Sequence, residues 1–348
     1  MIRRHCVGIA LAAAVCSLLC VAVMQLRSAT NSMESEKIDA ILTSAGLKST
    51  NVPGAAVLVL KNGETLFERS YGVTDLKTLH RIDERTNFRL ASFTKQFTAM
   101  AIMLLVRDGK LRYDEPLTGI FPDFPEYGKA ITIRMLLNHT SGLQDYEDLM
   151  PKPEPNVPVE QIQIKDSGVL ELLKHQSSTR FPPGSKWEYS NSGYVLLGVI
   201  VERVSGESFP DFLHNRIFSP LKMNNSSTSA TLGDGGVHSS LEDLAKWDRA
   251  LHNNTLLSPD EMRAALIPVK VPGVIEPDGT PAQYGFGWFL NPYKGHHRMW
   301  HYGETVGFRT AIQRFLNDDL TIIVLCNRAD LNPSGLALQI ADVYLRSQ

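Results

Sequence analysis

Serine followed three residues later by lysine occurs at Ser92-Phe93-Thr94-Lys95. At helical spacing one turn separates the two side chains, so the amine can reach the hydroxyl and take its proton, leaving an activated nucleophile. Lysine acts as a base only if its pKa falls well below the free value of about 10.4, and burial or neighbouring positive charge pushes it that way. Asn87 to Ala91 reads as extended, so Ser92 sits where a strand meets a helix; the helix start adds backbone donors and a positive dipole end. Alone the pair is weak, and helix capping explains a lone Ser92 equally well. A second copy stands at Ser219-Pro220-Leu221-Lys222, where proline directly after serine fits an N-cap followed by the first helical position, and Ser219 is read as structural.

Two further groups carry chemistry. Tyr189-Ser190-Asn191 is the only Tyr-x-Asn in the chain and lies between Phe181-Pro182-Pro183-Gly184 and an apolar helix starting near Tyr194. A phenol beside a lysine can pass protons between nucleophile and leaving group, and an amide two residues on can bind a substrate carbonyl or orient the lysine. His301-Tyr302-Gly303, followed by Glu304, precedes a β-rich pair of runs. Gly303 lets a ligand approach the strand, and the amide after it can join that of Ser92 in an oxyanion hole. The bland readings are a half-buried core tyrosine and a strand-end histidine.

The elements that must position these residues are of both kinds. Glu34 to Leu47 has the apolar spacing of a short helix. Ala55 to Leu60 and Thr65 to Tyr71 flank Lys61-Asn62-Gly63, a hairpin signal, and Thr310 to Phe315 with Leu320 to Cys326 form a second across Asn317-Asp318-Asp319. Helices are predicted over Thr94 to Asp108, Ile131 to Asn138, Val195 to Val204 and Leu336 to Leu345, and Met150 to Val159 reads as a surface loop. Strands at both ends with helices between predict an α+β domain with an inserted, mainly helical lobe.

Composition bounds the rest. A chain of 348 residues, 43% apolar, with net charge −2 and mixed signs throughout, has a packed core and no basic footprint for nucleic acid. Arg3, Arg4 and His5 precede an apolar run from Cys6 to Met24, which reads as an export signal or a retained anchor over residues 1–29, with periplasmic or extracellular delivery and possible membrane association. Three of four cysteines lie in that run, so a chain cut after it keeps Cys326 alone and forms no intrachain disulfide. Val15 and Leu19 occupy the places where lipidation of Cys16 or Cys20 would want a small residue. His296-His297 has no Cys, Asp or Glu at ligand spacing and reads as exposed loop; no metal or cofactor is expected.

Taken in this order the three motifs resemble those of the serine β-lactamase and penicillin-binding-protein superfamily: S-x-x-K, Y-x-N and H-x-G. Phe88 to Ala91, Leu136 to Leu143, Tyr284 to Trp288 and Val324 to Asn327 extend the likeness over nearly all of residues 30–348, nearest the class C-like branch with its esterases and D-aminopeptidases. The resemblance implies an antiparallel sheet built from residues of about 34–100 and 282–348, a helical lobe of about 101–281, and a site in the groove. It implies Ser92 as nucleophile, Lys95 and Tyr189 as base and acid, and Asn191, His301, Gly303 and Glu304 as substrate contacts. His139 belongs to a turn of the family and is read as a core histidine. No K-T-G or K-S-G occurs, so the third motif lacks the lysine that helps hold a substrate carboxylate; Arg309 is a candidate to compensate. The expected activity is hydrolysis of an ester or amide, with small-molecule or peptide substrates. The alternatives are a β-lactamase or D,D-peptidase, and a non-catalytic penicillin-binding sensor or scaffold.

Overall fold

The computed structural model describes residues 32–48, 50–150, 164–229, 233–275 and 281–345. The expected export segment, with Cys6, Cys16 and Cys20, and most of the Met150 to Val159 loop lie outside the described residues. Among those described, no helix is long and apolar enough to cross a membrane.

Helix α1 spans 32–44 and leads into a hairpin of β1 (Ala55–Lys61) and β2 (Glu64–Tyr71). Asn62 and Gly63 take φ of 52° and 76°, the paired left-handed conformation of a tight two-residue turn. From the far end come β3 (Arg298–Thr305), β4 (Phe308–Phe315) and β5 (Leu320–Cys326), and the five strands join antiparallel in the order β2-β1-β5-β4-β3. Both chain ends thus build one sheet, and β3 is its edge.

Alternation along the strands separates two cores. Ala55, Val57 and Val59 of β1, with Ile322 and Val324 of β5, pack under α1 and the terminal helix α6 (Pro333–Tyr344) through Ile38, Leu42 and Ile340. Ala56, Leu58, Ile323 and Leu325 face the other way, into the larger core with α2 (Lys95–Arg107). From Lys95 through Leu105 every residue of α2 is buried, so this helix runs through the interior rather than along a surface. Against it packs α4 (Asn191–Ser205), and α3 (Asp166–Lys174) packs on α4. Helix α5 (Leu241–His252), inside the segment expected as lobe, returns to the sheet: Arg314 Nε and Thr321 Oγ1 donate to its buried Asp248 carboxylate at 2.6 and 2.8 Å.

Two expectations are corrected. Helix α4 begins at Asn191 rather than Val195, because the Ser190 hydroxyl accepts from the Gly193 amide (3.3 Å) and caps it. No helix starts at Pro220: Ser219 follows a π-helical turn, His214–Phe218, and its amide donates to His214 O (2.8 Å), so it closes a helix instead of opening one.

Candidate active site

Ser92 stands on a 3₁₀ turn, Ala91–Thr94, that runs directly into α2. Ala91 takes φ +50°, a conformation that costs a side chain with a Cβ and that persists where the surroundings enforce it. They do so here. The Leu90 amide donates to Val237 O (2.9 Å), the Val237 amide donates to Thr94 Oγ1 (3.0 Å), and Thr310 Oγ1 donates to Leu90 O (2.8 Å). The turn is held between a short strand, Val237–Ser239, and the sheet, with the Ser92 side partly open to solvent.

One helical turn on, Lys95 is wholly buried. Its Nζ donates to Ser92 Oγ (3.1 Å), Asn191 Oδ1 (2.8 Å) and the Asp234 backbone oxygen (3.0 Å), which uses all three ammonium protons. Deprotonated, the amine keeps two donors for Asn191 and Asp234 and turns its lone pair on the Ser92 hydroxyl. Each partner is delivered by its own device. Asn191 opens α4, and its amide is pinned by Asp145 Oδ2 (2.6 Å). The Asp234 carbonyl reaches Lys95 because Gly233 lies against α4, where an added Cβ would sit 2.5 Å from Tyr194 O. Tyr189 completes the group: its ring centroid is 4.8 Å from Lys95 Nζ and its side chain neighbours that of Ser92. The structure therefore brings together Ser92, Lys95, Tyr189 and Asn191, from two separate stretches of chain, with the Asp234 carbonyl from a third.

The electrostatics assign different tendencies to the two proton-handling groups. Burial pulls Lys95 down to about 8, against the carboxylates of Asp234, Asp145 and Glu147, which favour its charge. Burial pushes Tyr189 well above the ordinary phenol range, the neighbouring Ser92 side chain opposing. Near neutrality the lysine is the accessible base and the tyrosine stays a phenol. Asp234, also buried, is pushed up despite Lys95.

The third motif behaves differently from expectation. His301 is fully buried; Nδ1 lies 2.7 Å from the Tyr302 carbonyl, to which it must donate, so bare Nε2 accepts from the Tyr284 hydroxyl (3.1 Å). With both nitrogens engaged and its pKa pulled to about 3 by burial and then by Lys95, the ring is a neutral strut and not an anion anchor. The close approach at Gly303 is made by the chain itself: a Cβ there would meet Leu90 O at 1.9 Å and Thr310 Oγ1 at 2.5 Å. Gly303→Ala is accordingly expected to displace the turn carrying Ser92, lowering kcat by about 10- to 100-fold and stability by about 1–3 kcal/mol; an assay beside urea unfolding checks both. Arg309 does not compensate for the missing lysine. The register pairs Glu304 with Arg309 and Arg309 with Cys326, which places both side chains on the α6 face of the sheet, away from Ser92. There they ion-pair at 2.6 Å.

The backbone of β3 remains suited to a substrate. Thr305 and Phe308 flank a two-residue turn and form a hydrogen-bonded pair, so Glu304 and Tyr302 point their amides and carbonyls outward, as Trp300 does in bonding Phe289 (both bonds 2.9 Å). His296 is also corrected: it is buried, with Nδ1 2.7 Å from Asp318 Oδ2, while His297 is exposed. Sequence reasoning missed Asp145 and Asp234 and gave Tyr284, named within Tyr284 to Trp288, no role in the site. Only Asp234 carried a usable signal, as the single acid in Gly233-Asp234-Gly235-Gly236, where small residues permit close approach.

The family model described as Beta-lactamase matches residues 40–344. The chain belongs to the beta-lactamase family. Penicillin-binding protein 4* of Bacillus subtilis (strain 168) is 32% identical over 317 residues, covering 79% of this chain and 68% of that protein. Among solved structures, D-amino acid amidase from Ochrobactrum anthropi SV3 has TM-score 0.73 at 23% identity, over 89% of this chain and 98% of its own. EstCE1, described as a hydrolase with promiscuous acyltransferase activity, has TM-score 0.74 at 20% identity, over 90% and 99%. This beta-lactamase-family protein is thus a member of the serine hydrolase superfamily of β-lactamases and penicillin-binding proteins, and its sheet with flanking helices is the β-lactamase/transpeptidase fold.

Proposed function

We propose that this protein is an exported hydrolase that cleaves a carboxylic ester or an amide, such as that of a D-amino acid, through an acyl-enzyme on Ser92. The observation that carries it is the wholly buried Lys95, its Nζ 3.1 Å from Ser92 Oγ and the Tyr189 ring beside it. Lys95 takes the Ser92 proton as the Oγ–C bond forms, and the carbonyl electrons move onto an oxyanion facing the Ser92 and Glu304 amides. Collapse breaks the bond to the leaving group, which receives the proton through the Tyr189 hydroxyl; water then repeats the sequence and releases the acid. The amidase and hydrolase descriptions of the structural neighbours support both substrate types. The apolar run from Cys6 to Met24 behind Arg3 and Arg4 supports export.

Charge narrows the acyl group. The ionisable neighbours of Lys95 are the carboxylates of Asp234, Asp145 and Glu147, His301 is neutral, and Arg309 lies on the opposite face. Neither His301 nor Arg309 offers a substrate carboxylate a cation at the site, whereas an uncharged or ammonium-bearing acyl group is not opposed, and this speaks against the β-lactamase and D,D-peptidase alternatives. Purified protein is expected to hydrolyse p-nitrophenyl acetate and D-alanine p-nitroanilide with kcat/KM exceeding that for nitrocefin by about 100-fold, the scale of one lost charged anchor. A fluorophosphonate should modify the tryptic peptide containing Ser92. Nitrocefin as the best substrate, or a label on another residue, would refute the proposal.

A further inference from the structure

His139 is buried just beyond the short helix Ile133–Leu137, with φ +61°. Its ring lies against Tyr189, centroids 4.4 Å apart at 34°, and Tyr194 and Tyr284 close around it at 5.1 and 4.7 Å. Two hydrogen bonds tie this residue to the segment of the second motif. The Glu188 amide donates to the His139 carbonyl (3.0 Å), and the Ser190 amide donates to His139 Nδ1 (3.2 Å). They fall on the residues immediately before and after Tyr189. A backbone amide only donates, so Nδ1 is bare and the neutral ring carries its hydrogen on Nε2. Burial, with Lys95 and His301 nearby, holds the pKa far below the ordinary imidazole range, so the ring stays neutral.

Nε2 has no hydrogen-bond partner among the described residues. A buried donor left without an acceptor costs stability. A phenylalanine would present a similar flat ring to the three tyrosines without that cost, so packing alone does not account for an imidazole here. What the imidazole adds is the acceptor at Nδ1. Resting on the proposed Ser92 chemistry, we infer that His139 is a positioning residue whose Nε2–H tautomer holds the Tyr189-Ser190-Asn191 segment in register with Ser92 and Lys95. The bond acts on both catalytic-side contacts at once. Ser190 caps α4, so a shift of its amide moves Tyr189 relative to Ser92 and draws Asn191 Oδ1 off Lys95 Nζ, which now stand 2.8 Å apart.

Two variants of the full chain separate positioning from packing. Asparagine tolerates the left-handed backbone, and its Oδ1 stands near the place of Nδ1 as an acceptor; phenylalanine keeps the ring and lacks the acceptor. His139→Phe is expected to lower kcat for p-nitrophenyl acetate by about 10- to 100-fold, the effect of a misplacement on the ångström scale, with KM changed by less than about twofold. His139→Asn is expected to restore kcat to within about fivefold of the parent, although its smaller side chain leaves a gap in the core. Phenylalanine fills that gap but is strained at φ +61° and leaves the Ser190 amide without an acceptor, so unfolding temperatures are measured beside kcat for both. Full kcat in the phenylalanine variant, or an asparagine variant no more active than it, overturns the inference. Imidazole 15N shifts in intact protein, and in Ser92→Ala, are expected to show bare Nδ1 and protonated Nε2 at His139 from pH 5 to 9. A protonated Nδ1 overturns it without any turnover, whereas an inactive parent with the expected tautomer fails the Ser92 chemistry instead.

Discussion

Alanine in place of Ser92 is expected to lower turnover of p-nitrophenyl acetate by about four orders of magnitude or more, because loss of a nucleophile removes the whole covalent route and leaves only binding and backbone electrostatics. The geometry offers no substitute. Of the three atoms that receive a proton from Lys95 Nζ, Asn191 Oδ1 and Asp234 O are amide oxygens, and only Ser92 Oγ can carry an acyl group. The Tyr189 phenol beside Lys95 is held protonated by burial. The fold should not notice: the hydroxyl is at a partly open position, Lys95 keeps two acceptors, and the unfolding free energy is expected to stay within about 1 kcal/mol of the parent. Steady-state hydrolysis and urea unfolding on one preparation check this. Residual activity above about one per cent with normal stability would assign the nucleophile elsewhere.

The motifs were legible in the sequence because each is local. Serine and lysine three apart need only one helical turn to meet, and Asn62-Gly63 between two β-rich runs needs only its own φ angles. The long-range partners of Lys95 were less accessible. Asn191 was singled out, but Asp145 and Asp234 reach the site through turns whose chemistry is ordinary: an Asp that caps a four-residue helix, and a carbonyl carried by a glycine segment. Asp234 at least stands in a glycine run, whereas nothing in residue type distinguishes Asp145 from dozens of surface acids. The roles assigned to Arg309 and His301 failed for a different reason, since proximity along the chain says nothing of facing. Arg309 is six residues from Gly303, yet strand alternation puts it on the α6 side, and His301 spends both nitrogens on Tyr302 and on Tyr284, seventeen positions away. Period-two alternation was available from sequence; the register that decides which face is which was not, because it depends on pairing with β4 and β5.

A single ascending limb centred near pH 8 is expected in the pH profile of kcat/KM. The acting form of Lys95 is the neutral amine, and its pKa lies at about 8, lowered chiefly by burial. Below that pH the free protein is increasingly protonated and the rate falls tenfold per unit; above it the rate levels. No descending limb from an imidazole or a phenol should follow near neutrality: His301 is held neutral down to about 3, His139 is likewise depressed, and Tyr189 stays protonated to well above 10. Lys95→Met should lose about three orders of magnitude at pH 8, the scale of general-base catalysis, and what rate remains should lose the limb. Arginine at this place should not rescue it, since a guanidinium does not give up its proton. Profiles of parent and variants from pH 5.5 to 10, with a hydroxide-corrected blank, decide the matter. A bell centred between pH 6 and 7 would move the base to an imidazole, and a profile unchanged in Lys95→Met would remove the lysine from proton transfer altogether. The carboxylates set where the limb falls: Asp145 favours the charged lysine, so Asp145→Asn, which retains an acceptor for the Asn191 amide, should move the limb to lower pH while the plateau rate is largely kept.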